Sequence, residues 1–496
     1  MKQPNILWFC TDQQRFDTIF NLGYSYARTP NLDKFMGESV TFSHAFCQSP
    51  VCTPSRSSFL TGMYPSAIPA NQNGNHEFPR EAENYLLPKI LKDNGYDCGL
   101  VGKLHLASAA NGIENRVDDG YRFVRYSHDP KGPNLYGHDY AEWIKSQDID
   151  AEKLLGPTEI SREVYRNTYS EISDNIKIPS EKNDNIPPDL HQSHWCTEMG
   201  IEFINKNRSH NQPWLLSVNP FDPHPDFDPP WDYYKNYDLS KMPLPHFQSE
   251  DLLLQQQLEL AGIDFQKMAR YPEPEVSRNR VACYLAMIEL LDHEFGRLIN
   301  YLNETNQRKN TLIIFSSDHG EMLGDHGLVQ KGCRFYEGLV RVPLIISLPK
   351  QQRSNLVSDA LVELIDIVPT LLDLLNIETP WWIQGKSLVP ILNAKTEKSF
   401  SEASYNHRSA VRCEFYSTLD LVDQTCATMY RNRKFKLITY HNKDIVELYD
   451  LEKDPWEHKN LSTDPDHQEI LLSLLKSSFS ATVDARAPRP NRIASY

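Results

Sequence analysis

Asn5-Ile6-Leu7-Trp8-Phe9-Cys10 breaks without transition into Thr11-Asp12-Gln13-Gln14-Arg15. An uninterrupted apolar run that ends abruptly in acid and amide is the pattern of a central strand in a parallel sheet. Such a strand is buried on both faces, and ligands bind beyond its carboxyl end. The same grammar recurs three times. Residues 96–101 end in Gly102-Lys103-Leu104-His105, and residues 214–218 in Asn219-Pro220-Phe221-Asp222-Pro223-His224-Pro225. Residues 311–315 end in Ser316-Ser317-Asp318-His319-Gly320-Glu321. One acid or histidine after a strand is ordinarily a turn former or cap. Four in the same position would gather on one sheet edge if the strands run parallel. The fold expected is α/β, with a large mixed, mostly parallel central sheet flanked by helices.

A second stretch belongs with these ends: Val51-Cys52-Thr53-Pro54-Ser55-Arg56-Ser57-Ser58-Phe59-Leu60-Thr61-Gly62. Pro54 fits a first helical turn, where its missing N–H has no intrahelical partner. The free N–H groups and the dipole at that helix end favour an anion beside Cys52. A thiol so placed ionises readily. An arbitrary cysteine at a helix start is usually a buried core residue, but Cys-x-Pro-Ser-Arg followed by Leu-Thr-Gly is a far rarer string.

Around these motifs the periodicity predicts a short helix over 31–35, a strand over 40–46 and a helix over 81–94. Further helices are expected over 195–205 and 280–303, and over 361–375 with a break near Pro369; a strand is expected over 342–348. Residues 107–195 and 226–275, rich in Pro, Tyr and Asp, read as insertions over the sheet, where specificity is often set. After about residue 395 the texture changes to short alternating strands at 426–430, 435–440 and 445–448, then a helix near 467–481. A catalytic domain over 1–395 and a smaller C-terminal α+β subdomain over 396–496, an antiparallel sheet with one helix, are therefore expected.

The 496 residues carry a net charge of −15, which argues against a nucleic-acid partner. A basic pocket for a small anion remains compatible with that sign. The nine cysteines are scattered without a Cys-x-x-Cys pair, so neither a zinc motif nor a disulfide framework is indicated. No apolar run reaches the roughly 18 residues of a membrane span, so no membrane partner is expected. Met1-Lys2-Gln3-Pro4 does not resemble a signal peptide. The chain as given reads as cytoplasmic, or as periplasmic or secreted if a leader has been removed. Oligomeric state is not legible.

Asp12, Gln13, Asp318 and His319 supply two carboxylates, an amide oxygen and an imidazole. Mostly oxygen donors suit a hard divalent cation such as Ca²⁺ or Mg²⁺, and the imidazole keeps Mn²⁺ open. Arg56, Lys103, His105, His224 and Lys331 supply cations and proton donors, a combination that binds a tetrahedral anion and stabilises a leaving oxygen.

The Cys52–Arg56 string with Leu60-Thr61-Gly62 resembles the signature of the type I sulfatases of the alkaline phosphatase superfamily. The residues from Asn5 to Gln13 resemble that family's first metal-binding strand, and Gly102-Lys103-Leu104-His105 its Gly-Lys-x-His segment. Asp222-Pro223-His224 resembles its Pro-His loop, and Ser317-Asp318-His319-Gly320-Glu321 its second metal pair. Lys436-Leu437, Glu447-Leu448-Tyr449-Asp450-Leu451, Asp454-Pro455 and Asn460-Leu461 are similar to its C-terminal subdomain. The insertions are not covered.

The resemblance implies a sulfuric ester hydrolase in which a separate maturation enzyme oxidises Cys52 to Cα-formylglycine. Asp12, Gln13, residue 52, Asp318 and His319 would hold one divalent metal, with Ca²⁺ expected ahead of Mg²⁺ and Mn²⁺. One hydroxyl of the aldehyde hydrate would attack sulfur and displace the alcohol. His105 would deprotonate the second, which then expels sulfate. Lys331 and His224 would hold the sulfate and protonate the leaving oxygen, while Lys103 and Arg56 stabilise the hydrate. Gln13 and His319 depart from the commonest Asp and Asn/Gln at those positions and resemble a branch containing phosphonate monoester and phosphodiester hydrolases. Lys103 and His105 together favour sulfate. The substrate expected is a carbohydrate sulfate, with Trp143, Trp381 and Trp382 as candidate sugar-stacking residues. The alternatives are a phosphonate monoester or phosphodiester hydrolase, or a non-catalytic binder of sulfated ligands with Cys52 unmodified.

Overall fold

The computed structural model describes residues 3–68, 70, 72–109, 112–130, 137–156, 176–209, 211–263, 265, 268–351, 355–419 and 424–486. Parts of the 107–195 and 226–275 stretches therefore lie outside the described residues.

Nine strands form the main sheet: β1 (Asn5–Thr11), β2 (Val40–Phe46), β3 (Asp97–Gly102), β4 (Phe123–Tyr126), β5 (Trp214–Asn219), β6 (Thr311–Ser317), β7 (Arg341–Val342), β8 (Leu344–Ser347) and β9 (Leu356–Glu363). Their order is β4-β3-β5-β1-β6-β8-β2-β7, with β9 parallel to β2. The five strands β4, β3, β5, β1 and β6 are mutually parallel. The four strands with polar ends are thus contiguous, in the order β3-β5-β1-β6, and their carboxyl ends share one edge. On the other side of β6 the sheet turns antiparallel through β8 and β7. The expected mixed, mostly parallel α/β sheet is what forms.

Helices cover both faces, and two apolar clusters fill the layers between them and the sheet. On one face the 31-residue helix Pro274–Glu304 lays Leu291, Phe295, Leu298 and Leu302 against Phe9, Phe315 and Trp214. On the other, the helix Cys52–Thr61 is buried along its entire length. A second sheet, β10 (Ala410–Tyr416), β11 (Cys426–Asn432), β12 (Phe435–Tyr440) and β13 (Ile445–Asp450), is antiparallel throughout, and the helix Gln468–Arg486 packs on it.

Several expectations need correction. The 361–375 segment begins as the end of β9, and its helix is Ile367–Leu374. Pro369 sits in that helix's first turn, where proline is tolerated, so it breaks nothing. The helix expected over 81–94 divides into a 3₁₀ turn, Arg80–Tyr85, and Leu87–Asp93, because Pro88 needs a first-turn position. Pro343 splits the strand expected over 342–348 into β7 and β8. The 107–195 stretch is not wholly an insertion, since β4 within it is the edge strand beside β3. The 226–275 stretch likewise contains the helix Asp251–Leu260. β10 was not anticipated. Among the described residues no helix is long and apolar enough to cross a membrane.

Candidate active site

Each polar strand end is shaped by its backbone. Gly102 closes β3 at φ +91°, and a Cβ there would stand 2.1 Å from the Asn219 carbonyl oxygen of β5, so only glycine fits. The chain then turns Lys103 inward. His105 and Gln13 lie in the left-handed region at φ +56° and +70°, a costly conformation for residues with a side chain. The Gln13 N–H donates to Asp318 Oδ1 at 2.9 Å, and so does the His319 N–H. Two backbone donors thereby lock one carboxylate between the ends of β1 and β6.

Cys52, the first residue of its helix, lies at the focus. Its Sγ is 2.8 Å from Lys331 Nζ, 3.1 Å from His319 Nε2, 3.6 Å from Lys103 Nζ and 3.9 Å from Asp12 Oδ1. Burial alone would push the thiol up, but Lys103, Lys331 and His319 hold it well below its usual value. Arg56 Nε donates to Asp318 Oδ2 at 2.8 Å, its Nη2 approaches Asp12 Oδ2 at 3.4 Å, and its Nη1 donates to the Lys103 carbonyl at 3.1 Å. Lys103 pairs closely with Asp12, and Lys331 donates to Gln13 Oε1 at 2.8 Å.

All the expected site residues therefore converge, including Lys331, which would ordinarily be a solvated lysine and is 2 % exposed. His224 is half-buried at the rim; its ring lies 4.4 Å from that of Phe221, over which Lys103 Nζ sits at 5.0 Å. The tryptophans do not converge. Trp143 packs against the helix-covered core beside Tyr140, and Trp382 against Tyr85. Trp381 opens on a groove with Tyr64 at the far end of the Cys52 helix.

Three residues escaped the sequence reading. Buried Glu321 accepts from the Gln13 amide and from the Leu323 N–H, fixing the Gln13 side chain so that its oxygen faces Lys331. Its place in the Asp318–Glu321 motif was the only signal. His128, after the edge strand, meets His105 edge-on at 4.4 Å. Glu114 accepts from the His105 and Leu106 N–H groups at 2.7 and 3.3 Å. Nothing local marks either.

Burial raises the Glu114 carboxyl to about 7, against the hydrogen bonds it accepts. A carboxyl raised above its unfolded value binds its proton more tightly in the folded state. Its contribution to stability is complete below the unfolded pKa of about 4.5 and declines as pH rises toward 7. Urea midpoints of wild type should fall over that window, and Glu114→Gln should flatten the slope. An unchanged slope would contradict this role.

The donor set fits a divalent cation. Asp12, Cys52, Asp318 and His319 are all buried, with ligand atoms within 4.8 Å of one another. The His319 ring is held by the 2.8 Å hydrogen bond between Nδ1 and the Gly320 carbonyl, which turns Nε2 toward residue 52.

The edge of the parallel sheet thus gathers two carboxylates, a candidate nucleophile and the cationic side chains of Arg56, Lys103 and Lys331. The sulfatase family model matches residues 4–377, and the model described as "N-sulphoglucosamine sulphohydrolase, C-terminal" matches 324–482. An arylsulfatase of Clostridium perfringens is 28% identical over 96% of this chain and 93% of its own length. The N-acetylglucosamine-6-O-sulfatase of Bacteroides thetaiotaomicron is 25% identical over 96% of this chain and 86% of its own. The crystal structure of the phosphonate monoester hydrolase of Agrobacterium radiobacter superposes with a TM-score of 0.78 at 23% identity, over 97% of this chain and 96% of that one; this likeness is one of fold. The chain belongs to the sulfatase family and is a sulfuric ester hydrolase.

Proposed function

We propose that the protein removes sulfate from an alcohol or sugar sulfate ester, using Cα-formylglycine made from Cys52 by a separate maturation enzyme. The observation that carries this reading is the position of Cys52 Sγ, in contact with two lysines and a histidine and facing Asp12. Asp12, Gln13, Asp318 and His319, with residue 52, would hold one divalent cation, with Ca²⁺ favoured over Mg²⁺ or Mn²⁺ by the oxygen-rich set. Bound there, it would supply Lewis-acid activation of the nucleophile and charge neutralisation on the sulfuryl oxygens. The formylglycine would supply a hydrated aldehyde, whose ester with sulfate can be released by C–O cleavage.

The chain's own residues do the rest. Lys331 and Lys103 bracket residue 52 and stabilise negative charge on the transferred group. His224 at the rim protonates the leaving oxygen. His105, whose imidazole burial lowers to about 4, is neutral at physiological pH and accepts a proton at residue 52. Arg56 holds the two metal-binding carboxylates in register.

A carbohydrate sulfate is the substrate class that this reading favours. Beside His224 a narrow recess of only about 10 Å³ is bordered by Asp129, His191, Gln192, Asp226 and Asp228, polar groups that would face sugar hydroxyls at that rim. The glucosamine-sulfate relative supports the same class. Phosphonate monoester or phosphodiester hydrolysis is the second reading, favoured by Gln13 and His319 and by the fold likeness. Matured, cation-loaded enzyme should turn over an aryl sulfate and a panel of sulfated monosaccharides. Cleavage confined to phosphonate monoesters or phosphodiesters would replace the sulfate reading by the second. If intact mass finds Cys52 unmodified, a non-catalytic sulfate binder becomes the reading.

A further inference from the structure

Apart from the cluster at Cys52, Asp251, His326 and His458 meet in a second cluster whose ligand atoms lie within 4.8 Å of one another. They come from three parts of the chain. Asp251 opens the helix Asp251–Leu260, and His326 lies in the turn Asp325–Gly327. His458 follows β13, the last strand of the C-terminal sheet. We propose that these three side chains form a second metal site, for a divalent ion of the zinc class, that ties the loop between His319 and Lys331 to the C-terminal sheet.

The donor chemistry sets this cluster apart from the one at Cys52. Two imidazoles and one carboxylate suit Zn²⁺, Co²⁺ or Ni²⁺ and are a poor set for Ca²⁺ or Mg²⁺, which want oxygen. The spacing agrees. His458 Nδ1 is 3.0 Å from each oxygen of Asp251, and His326 Nδ1 is 3.5 Å from Oδ1. Ligand atoms each about 2.0–2.1 Å from one ion stand about 3.0 Å apart at octahedral angles and about 3.4 Å apart at tetrahedral ones.

The ligands are held in advance. The His326 backbone is left-handed at φ +54°, its N–H donates to the His246 carbonyl at 2.9 Å, and its ring stacks 3.8 Å from Tyr336 at 13°. Asp251 Oδ2 accepts from the Gln248 N–H at 2.8 Å. The Asp251 side chain is 2 % exposed and that of His326 3 %, but that of His458 is 14 % exposed, so ion and solvent ligands reach the site from its side.

The consequence is mechanical. Asp325, next to His326, pairs with Arg15 at 2.7 Å, two residues from Gln13. An ion held by His326 therefore steadies the middle of the loop whose two ends carry Asp318, His319 and Lys331.

Zn²⁺ titration of the full-length protein under excess Ca²⁺, read by calorimetry and metal analysis, tests this. Wild type and Cys52→Ala should each bind one Zn²⁺ per chain, and His458→Gln should bind it at least about ten-fold more weakly. Should the variant fail to fold, wild type alone still decides. Co²⁺ in place of Zn²⁺ should give d–d absorption without a thiolate charge-transfer band, since no cysteine is a ligand. No Zn²⁺ bound by wild type under excess Ca²⁺, undiminished affinity in folded His458→Gln, or a thiolate band from the bound Co²⁺ would each overturn the proposal. The simple reading would then be a carboxylate flanked by two hydrogen-bonded histidines.

Discussion

Alanine at position 52 is expected to lower hydrolysis of an aryl sulfate by about 10⁴-fold or more, the scale seen when a covalent nucleophile is removed. Alanine is the best helix former, and the Cys52–Thr61 helix is buried on all sides, so the fold should survive and the loss should fall on kcat. Serine at the same position separates the roles of nucleophile and modification. Its hydroxyl would face Lys331 and His319 as the sulfur does. A sulfated serine, however, has no second hydroxyl to expel the sulfate, so Cys52→Ser should release at most one equivalent of alcohol and stop. Active wild-type preparations should carry a residue-52 peptide lighter by ~18 Da, the exchange of sulfur and two hydrogens for oxygen. Full activity in Cys52→Ala would remove residue 52 from the chemistry.

Arg56→Leu should destabilise the fold by ~3–5 kcal/mol, the cost of breaking a buried ion pair on one side only. Its side chain is 1 % exposed and lies between Asp318 and Asp12, neither of them exposed. Lys103 still neutralises Asp12 in the variant, but Asp318 would keep its two backbone donors and the longer 3.8 Å approach of His319 Nε2 in place of the guanidinium. A lysine cannot reproduce the fork that reaches both carboxylates and the Lys103 carbonyl, so Arg56→Lys should recover only part of the loss. A divalent cation between Asp12 and Asp318 would replace the missing charge. Ca²⁺ should therefore raise the urea midpoint of Arg56→Leu more than that of wild type. A loss below about 1 kcal/mol, the worth of an exposed pair, would show that Arg56 does not compensate these carboxylates.

Glu114 and Glu321 illustrate what the linear chain hides. Each is a lone acid in sequence, yet one sets the His105 backbone and the other orients Gln13, through contacts made only after folding. β9 was misjudged for a related reason. A fully apolar segment such as 360–362 satisfies helix and buried strand equally well, and pairing with β2 settles the matter. Of the tryptophans read as candidate stacking residues, Trp143 and Trp382 pack against neighbouring rings, because an aromatic residue is read as exposed or buried only through its neighbours; Trp381 stays exposed on its groove.

What the sequence by itself determined is the chemistry and its placement at strand ends. An apolar run ending in acid or histidine states both that the strand is central and that its carboxyl end is polar. Four such ends and the Cys52–Arg56 string name the reacting groups. Only the tertiary structure decided that β3, β5, β1 and β6 are neighbours in that order, that Lys331 returns to within 2.8 Å of Cys52, and that His326 meets His458 across a separation of 132 positions. Local periodicity reports burial, which is set by solvent. Strand order and loop return are set by long-range pairing, and no short window of sequence contains both partners.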